Sequence, residues 1–167
     1  MRKVSPLIAL LLLIPVLALA GQKTLQAKVM KVSDGDTIVV SPIDGGDFFK
    51  CRLYGIDTPE GSQSYGDEAT KALKHLILAQ RVEIQTTGDI TYKREVCHVT
   101  LNGMDVNLEM VRQGHAWAYR NYLKKPYKTL YVEAETEARN KRIGLWKDSN
   151  PVPPWEYRKV KKNGNKP

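Results

Sequence analysis

The sequence predicts a domain of the α+β class, a five-stranded β-barrel carrying three helices. Three observations predict it. Short segments with two-residue apolar alternation recur along the chain, the period turns helical once after the third of them, and two further helical stretches follow the fifth.

Leu25, Ala27 and Val29 alternate with polar neighbours up to a turn at Asp34-Gly35. Residues 37–40 continue as a short strand, Asp44-Gly45-Gly46 turns the chain again, and residues 48–56 form a third strand that completes a meander. The period then changes: Ala69, Ala72, Leu73, Leu76 and Ile77 share one face of a helix expected over 67–79, whose first turn carries Asp67 and Glu68 on the favourable side of the helix dipole. Two more strands are expected over 81–86 and 94–101, closed off by Asn102-Gly103. A short helix over 106–113 stops at Gly114, and a last helix over 127–142 spaces Tyr127, Leu130, Ala134 and Ala138 for burial before Gly144. Residues 150–155 hold three prolines and are expected to form no regular element. Three strands, a helix, two strands and two helices is the order of an OB-fold barrel.

The ends read differently from the body. Met1-Arg2-Lys3 precedes an almost wholly apolar run from Leu7 to Leu19, and Ala18-Leu19-Ala20 has the small-residue pattern of a cleavage site. Residues 1–20 are therefore expected to be a signal peptide, residues 21–148 the folded domain, and residues 149–167 a Pro-rich, then basic, C-terminal tail. The run is short for a bilayer span and contains Pro15, so no membrane segment is expected after cleavage. The expected destination is the periplasm or the medium. The net charge of +8 belongs mainly to these ends: setting aside Arg2, Lys3, Arg158, Lys159, Lys161, Lys162 and Lys166 leaves 19 basic residues against 18 acidic ones. A basic tail attracts polyanions through counterion release, but it reads equally as a solvated end.

Three clusters carry chemistry: Asp34-Gly35-Asp36-Thr37 at a turn, Arg52 followed by Asp57-Thr58-Pro59-Glu60 at the end of the third strand, and Tyr92-Lys93-Arg94 entering the fifth. Taken singly, Asp-Gly is also a plain hairpin turn and Asp-Thr-Pro-Glu a plain helix start. Strand parity joins them. Phe49, Cys51 and Leu53 must face the core, so Arg52 faces out, and Cys97, Val99 and Leu101 do the same for Arg94. Two guanidinium groups on one face, beside clustered carboxylates, suit a phosphodiester: arginine binds phosphate oxygens bidentately, and carboxylates hold a hard cation or orient water. His75, His98 and His115 are scattered over different elements and do not form a zinc-type ligand set.

In order and spacing, Asp34-Gly35-Asp36-Thr37, the run from Cys51 through Arg52 to Asp57-Thr58-Pro59-Glu60, Val111-Arg112-Gln113-Gly114 and Gly144-Leu145-Trp146 resemble the staphylococcal nuclease family. The resemblance spans about residues 24–146, and its R-x-x-x-x-D-T-P-E run is the most specific part. It implies a calcium-dependent nuclease acting on DNA and/or RNA and leaving 3′-phosphate ends. Asp36, Asp57 and the carbonyl of Thr58 would hold Ca2+, Glu60 would be the general base or water-positioning group, and Arg52 and Arg94 would clamp the phosphate. Tyr92 matches a tyrosine near the terminal phosphate, and Tyr119 and Tyr122 lie near where the family stacks a base, with a slip of about one residue. One departure stands out: Lys93 replaces a glycine before the second arginine, so that turn loses a residue free to adopt left-handed backbone. Lys93 is the candidate to take over a phosphate contact there. Trp117, Trp146 and Trp155 read as packing residues.

The family's barrel places the third and fifth strands side by side, which makes a Cys51–Cys97 bridge geometrically feasible; two buried free thiols are the other reading. The alternative to an enzyme is a catalytically inactive OB-type module that binds nucleic acid or another partner. Such copies normally lose the acids or arginines that are all present here. A monomer without a stable protein partner is expected.

Overall fold

The computed structural model describes residues 24–164, so the leader expected over residues 1–20 lies outside the described residues. Five strands form the barrel: β1 (Thr24–Asp34), β2 (Thr37–Pro42), β3 (Phe49–Leu53), β5 (Arg81–Thr91) and β6 (Arg94–Leu101). A two-residue strand, β4 (Ile56–Asp57), lies between β3 and the helix α1 (Gly66–Ile77). β7 (Met104–Asp105), α2 (Val106–Arg112), β8 (Trp117–Ala118), α3 (Tyr127–Asn140), a 3-10 turn over Gly144–Lys147 and α4 (Pro154–Lys162) complete the chain.

The strands pair in the order β3-β2-β1-β5-β6, and a parallel pairing of β3 with β6 closes the ring. This is the OB-type barrel that the alternation predicts. β1 can serve both halves because it is 11 residues long and bends at two register shifts against β2, between Val29 and Lys31 and between Val32 and Asp34. Such bulges increase local twist, which a small closed barrel requires. The inward residues alternate along each strand, with one change of phase at the β1 bulge: Ala27, Val29 and then Val32 on β1, Ile38 and Val40 on β2, Cys51 and Leu53 on β3, Val82 and Ile84 on β5, Cys97 and Val99 on β6. α1 covers one barrel end with Ala69, Leu73 and Ile77, while α2 inserts Val106, Met110 and Val111.

Where the ring closes, Asn107 finishes the seal. It is fully buried; its Oδ1 accepts from the Val99 amide at 3.1 Å, and its Nδ2 donates to the carbonyls of Tyr54 and Cys97 at 3.1 and 3.0 Å. The Tyr54 amide donates to the same Cys97 carbonyl at 2.8 Å. One side chain thus satisfies the backbone groups left over where β3 departs from β6.

Two expectations are corrected. Leu130 is exposed, and the neighbouring Tyr131 is the buried residue, its hydroxyl donating to Asp105 at 3.1 Å. Ala134 and Ala138 are buried and Tyr127 packs on the core as expected, so the difference is confined to one turn, where a large ring with a hydrogen-bonded tip takes the place expected of Leu130. The C-terminal stretch is not wholly irregular either. Pro153 and Pro154 open α4, as proline suits a first helical turn, and Tyr157 is buried against the body with its hydroxyl 2.9 Å from the Ser62 carbonyl.

Asn107→Ala should destabilise the fold by roughly 3 kcal/mol in urea unfolding, since the Val99 amide and the Tyr54 carbonyl lose this partner in the core while the Cys97 carbonyl keeps only the Tyr54 amide. A change below about 0.5 kcal/mol would mean that water replaces the amide freely.

Candidate active site

The site forms where three chain segments leave the barrel on the same side. The β1–β2 hairpin pairs Asp34 with Thr37 across Gly35-Asp36, and the Asp36 amide donates to Asp34 Oδ1 at 3.0 Å. Gly35 has no room for a side chain: a Cβ there would lie 2.7 Å from Thr58 Oγ1. That close approach lets the Thr58 amide and hydroxyl donate to Asp36 Oδ2 at 3.1 and 3.2 Å. Thr37 pairs with Arg52 across β2 and β3, and Asp57 pairs with Trp117 across β4 and β8.

Arg52 stands at the centre. Its Nη2 lies 2.9 Å from Asp36 Oδ2 and 3.0 Å from Asp57 Oδ1, while Nη1 donates to the Leu53 carbonyl at 2.8 Å. The two carboxylates therefore converge on a single nitrogen. Arg94 reaches the same cluster: its Nη1 donates to Thr37 Oγ1 at 3.2 Å, and Thr37 Oγ1 donates to Asp36 Oδ1 at 3.2 Å. Arg52 and Arg94 are thus tied to one aspartate from two different strands.

Glu60 follows at the start of the loop into α1. Its amide donates to Gln63 Oε1 at 3.1 Å and its carbonyl accepts from the Gln63 amide at 2.7 Å. Gly66 packs so closely on that carbonyl that a Cβ would lie 1.9 Å from it. The Glu60 side chain is 41% exposed.

The electrostatics follow from burial of acids near one another. Burial and then the neighbouring Asp36 push the Asp34 carboxyl up to about 6. Burial also raises Asp57, against the hydrogen bond from Arg158 and the charge of Arg52. Crowded carboxylates of this kind are what a hard cation neutralises. Among the described residues no group of three His, Cys, Asp or Glu side chains stands in a metal-holding arrangement. The donor set is instead two convergent aspartates with the Thr58 backbone beside them, which fits a hard ion that keeps several waters.

One residue at the centre was missed by sequence reasoning. Arg158 of α4 places Nη2 2.7 Å from Asp57 Oδ2 and Nη1 3.2 Å from Asp57 Oδ1 and 2.7 Å from Glu60 Oε1. The helix is docked by Tyr157 on Ser62 and by Trp155, whose ring lies parallel to Tyr119 at 5.4 Å and edge-on to Trp117 at 5.5 Å. A pair of prolines followed by aromatic residues at 155 and 157 is the signal that a docked helix starts there.

The aromatic candidates divide. Tyr119 borders the acids, since burial and then Asp57 raise its hydroxyl, and Tyr122 sits against it at 4.6 Å with most of its ring exposed. Tyr92 is 90% exposed at the tip of the β5–β6 hairpin, its ring 5.8 Å from the Arg94 guanidinium. Tyr92 and Lys93 both have left-handed backbone, φ 49° and 61°, so the turn keeps its shape without the glycine. Of the histidines, His98 lies between Tyr54 and Tyr127, and His115 Nδ1 pairs with the Tyr65 hydroxyl.

A small closed barrel thus presents two arginines and two convergent aspartates at one rim, a set of groups with the chemistry to meet a phosphate. A family model described as staphylococcal nuclease homologue matches residues 50–148. An uncharacterised endonuclease of Haemophilus influenzae is 38% identical over 156 residues, covering 93% of this chain and 85% of that protein. An uncharacterised endonuclease of Escherichia coli is 37% identical over 159 residues, covering 95% and 98%. A micrococcal nuclease of Shigella flexneri is 33% identical over 172 residues, covering 98% and 94%. The chain belongs to the staphylococcal nuclease family.

Lys93→Gly should stabilise the protein by roughly 0.5 kcal/mol, because relief of left-handed strain exceeds the added freedom of the unfolded chain. Denaturant unfolding checks it. A destabilised variant would show that the Lys93 side chain makes a contact worth more than the strain.

Proposed function

We propose that the chain is an exported, calcium-dependent endonuclease that hydrolyses phosphodiester bonds of DNA and/or RNA without sugar specificity, as a monomer, and leaves 3′-phosphate ends. The observation that carries this reading is the convergence of Asp36 and Asp57 on one Arg52 nitrogen, with Glu60 and Arg94 joined to the same cluster.

Asp36, Asp57 and the carbonyl of Thr58 would hold the calcium ion, which when bound supplies positive charge beside the phosphate. Arg52 and Arg94 bind the non-bridging oxygens and stabilise the charge that grows on them as water attacks phosphorus. Arg94 uses only part of its donor set on Thr37 and the Thr91 carbonyl, leaving the rest of the guanidinium for phosphate. Glu60, half open to solvent, orients the attacking water and accepts its proton. The bond to the 5′-oxygen breaks, and that oxygen leaves with a proton from solvent. Tyr119 and Tyr122 offer rings on which any base can stack, which suits low base specificity, and Tyr92 and Lys93 lie beside Arg94 to meet a neighbouring phosphate.

Export is supported by the basic start, apolar run and small-residue site before residue 21. An oxidising compartment bears on Cys51 and Cys97, which face each other in the core with sulfurs 2.9 Å apart and both thiols free. The hydrogen bond between them, and then burial, raise the Cys51 thiol well above its ordinary range.

Glu60→Ala and Arg52→Ala should each lower turnover on DNA by two or more orders of magnitude, roughly the effect of losing a general base or a transition-state charge partner, with circular dichroism unchanged. Digestion should stop on chelation and resume with calcium. Near-wild-type rates in either variant would remove these roles; no chelator-sensitive digestion by the parent chain would leave a non-catalytic binding module. Exported protein, denatured without reductant, should show no titratable thiols, and the bridge should add up to about 4 kcal/mol of stability by closing a long loop. Two reactive thiols would refute the bridge.

A further inference from the structure

Arg158 lies beyond the family-matched residues 50–148, yet it makes three contacts at the acid cluster, two of them at 2.7 Å. Both oxygens of Asp57 are engaged by it, and Oδ1 is shared with Arg52. Glu60, half exposed and otherwise directed at solvent, is held at 2.7 Å. The proposed cation ligand and the proposed base are therefore bridged by one guanidinium from the C-terminal helix.

We propose that α4 is part of the active centre and that Arg158 is a positioning residue which holds Asp57 and Glu60 while no cation is bound, and yields Asp57 when calcium arrives. The inference rests on the calcium reading above. An ion on Asp57 must take an oxygen lone pair at about 2.3–2.6 Å, which is where Arg158 now donates. Two positive charges that close repel, and a doubly charged ion outcompetes a guanidinium for a carboxylate that is itself only 2% exposed. Glu60 must likewise be released before it can orient water, since Arg158 now occupies the carboxylate oxygen that would face that water.

The helix is built for this exchange. It is anchored by Tyr157 on Ser62 and Trp155 on Tyr119 and Trp117, and just before it the Val152 carbonyl accepts from Gln63 Nε2. Ser62 and Gln63 belong to the loop that carries Glu60, so α4 is tied directly to that loop. The Arg158 side chain, by contrast, is 43% exposed and can swing away while the helix stays docked. Before calcium binds, Arg158 pairs with both acids; afterwards the freed guanidinium is available beside them to meet a phosphate.

The test is calorimetric titration of calcium chloride into full-length protein without nucleic acid, comparing the parent with R158Q and R158K. Removing an internal competitor should tighten calcium binding by roughly 3- to 10-fold in R158Q, with R158K between the two because lysine keeps the charge but loses the paired geometry. In the parent protein, the NMR signal of the Arg158 guanidinium should shift on calcium addition, a readout that does not depend on any variant folding. Equal or weaker calcium binding by R158Q, or an Arg158 signal indifferent to calcium, overturns this inference alone. Absence of calcium binding in parent and variants alike overturns the calcium reading and this inference with it.

Discussion

Closure of the barrel by the parallel pairing of β3 with β6 is the constraint on which the rest depends. Without it, Arg52 and Arg94 would be outward residues on opposite edges of an open sheet. With Leu53 opposite Cys97 and Arg52 opposite Val96, the two strands run side by side, and Thr37 on β2 comes within reach of the Arg94 guanidinium. Asn107 seals this junction by satisfying backbone groups of both strands from within the core. The site is therefore a by-product of closure: the outward face of the closing strands meets the turns at their ends.

The site also shows how a small fold accommodates concentrated charge. Asp57 is almost fully buried, and Asp34 and Asp36 share a two-residue turn, an arrangement costly for carboxylates in isolation. The costs are offset locally: Thr58 donates twice to Asp36, Arg52 spans both aspartates, and Arg158 covers Asp57 from outside. Close glycine contacts make this density attainable. Gly35 lets the hairpin lie on Thr58, and Gly66 lets α1 start against the carbonyl of Glu60. Neither position has space for a methyl group, so the backbone itself forms part of the site's wall.

The aromatic side of the cleft has a different logic. Trp117, Trp146 and Trp155 meet edge to face, with Arg139 lying 3.8 Å over the ring of Trp146 and paired with the fully buried Glu135. That cluster anchors the C-terminal segment to the end of α3. Trp155 then presents a parallel face to Tyr119, so a residue that packs on Trp117 on one side also stacks on a tyrosine near the acid cluster.

Much of the fold was legible in the chain because two-residue alternation is a local property. Parity on β3 and β6 placed Cys51, Leu53, Cys97 and Val99 inside and both arginines outside, as observed. Helical spacing located α1, but on α3 it chose Leu130 over Tyr131, since which of two adjacent apolar residues is buried depends on the shape of the space above α2. By itself the sequence determined the order of the five barrel strands and the first three helices, the outward arginines and the identity of the acids at the adjoining turns. Only the tertiary structure decided that Asp36 and Asp57 meet on one nitrogen and that Asn107 closes the ring. It alone revealed that Arg158, about a hundred residues further along the chain, covers Asp57 and Glu60. The physical reason is one of range: periodicity reports the face a residue takes on its own element, whereas a contact between distant segments exists only after the barrel has closed and brought them together.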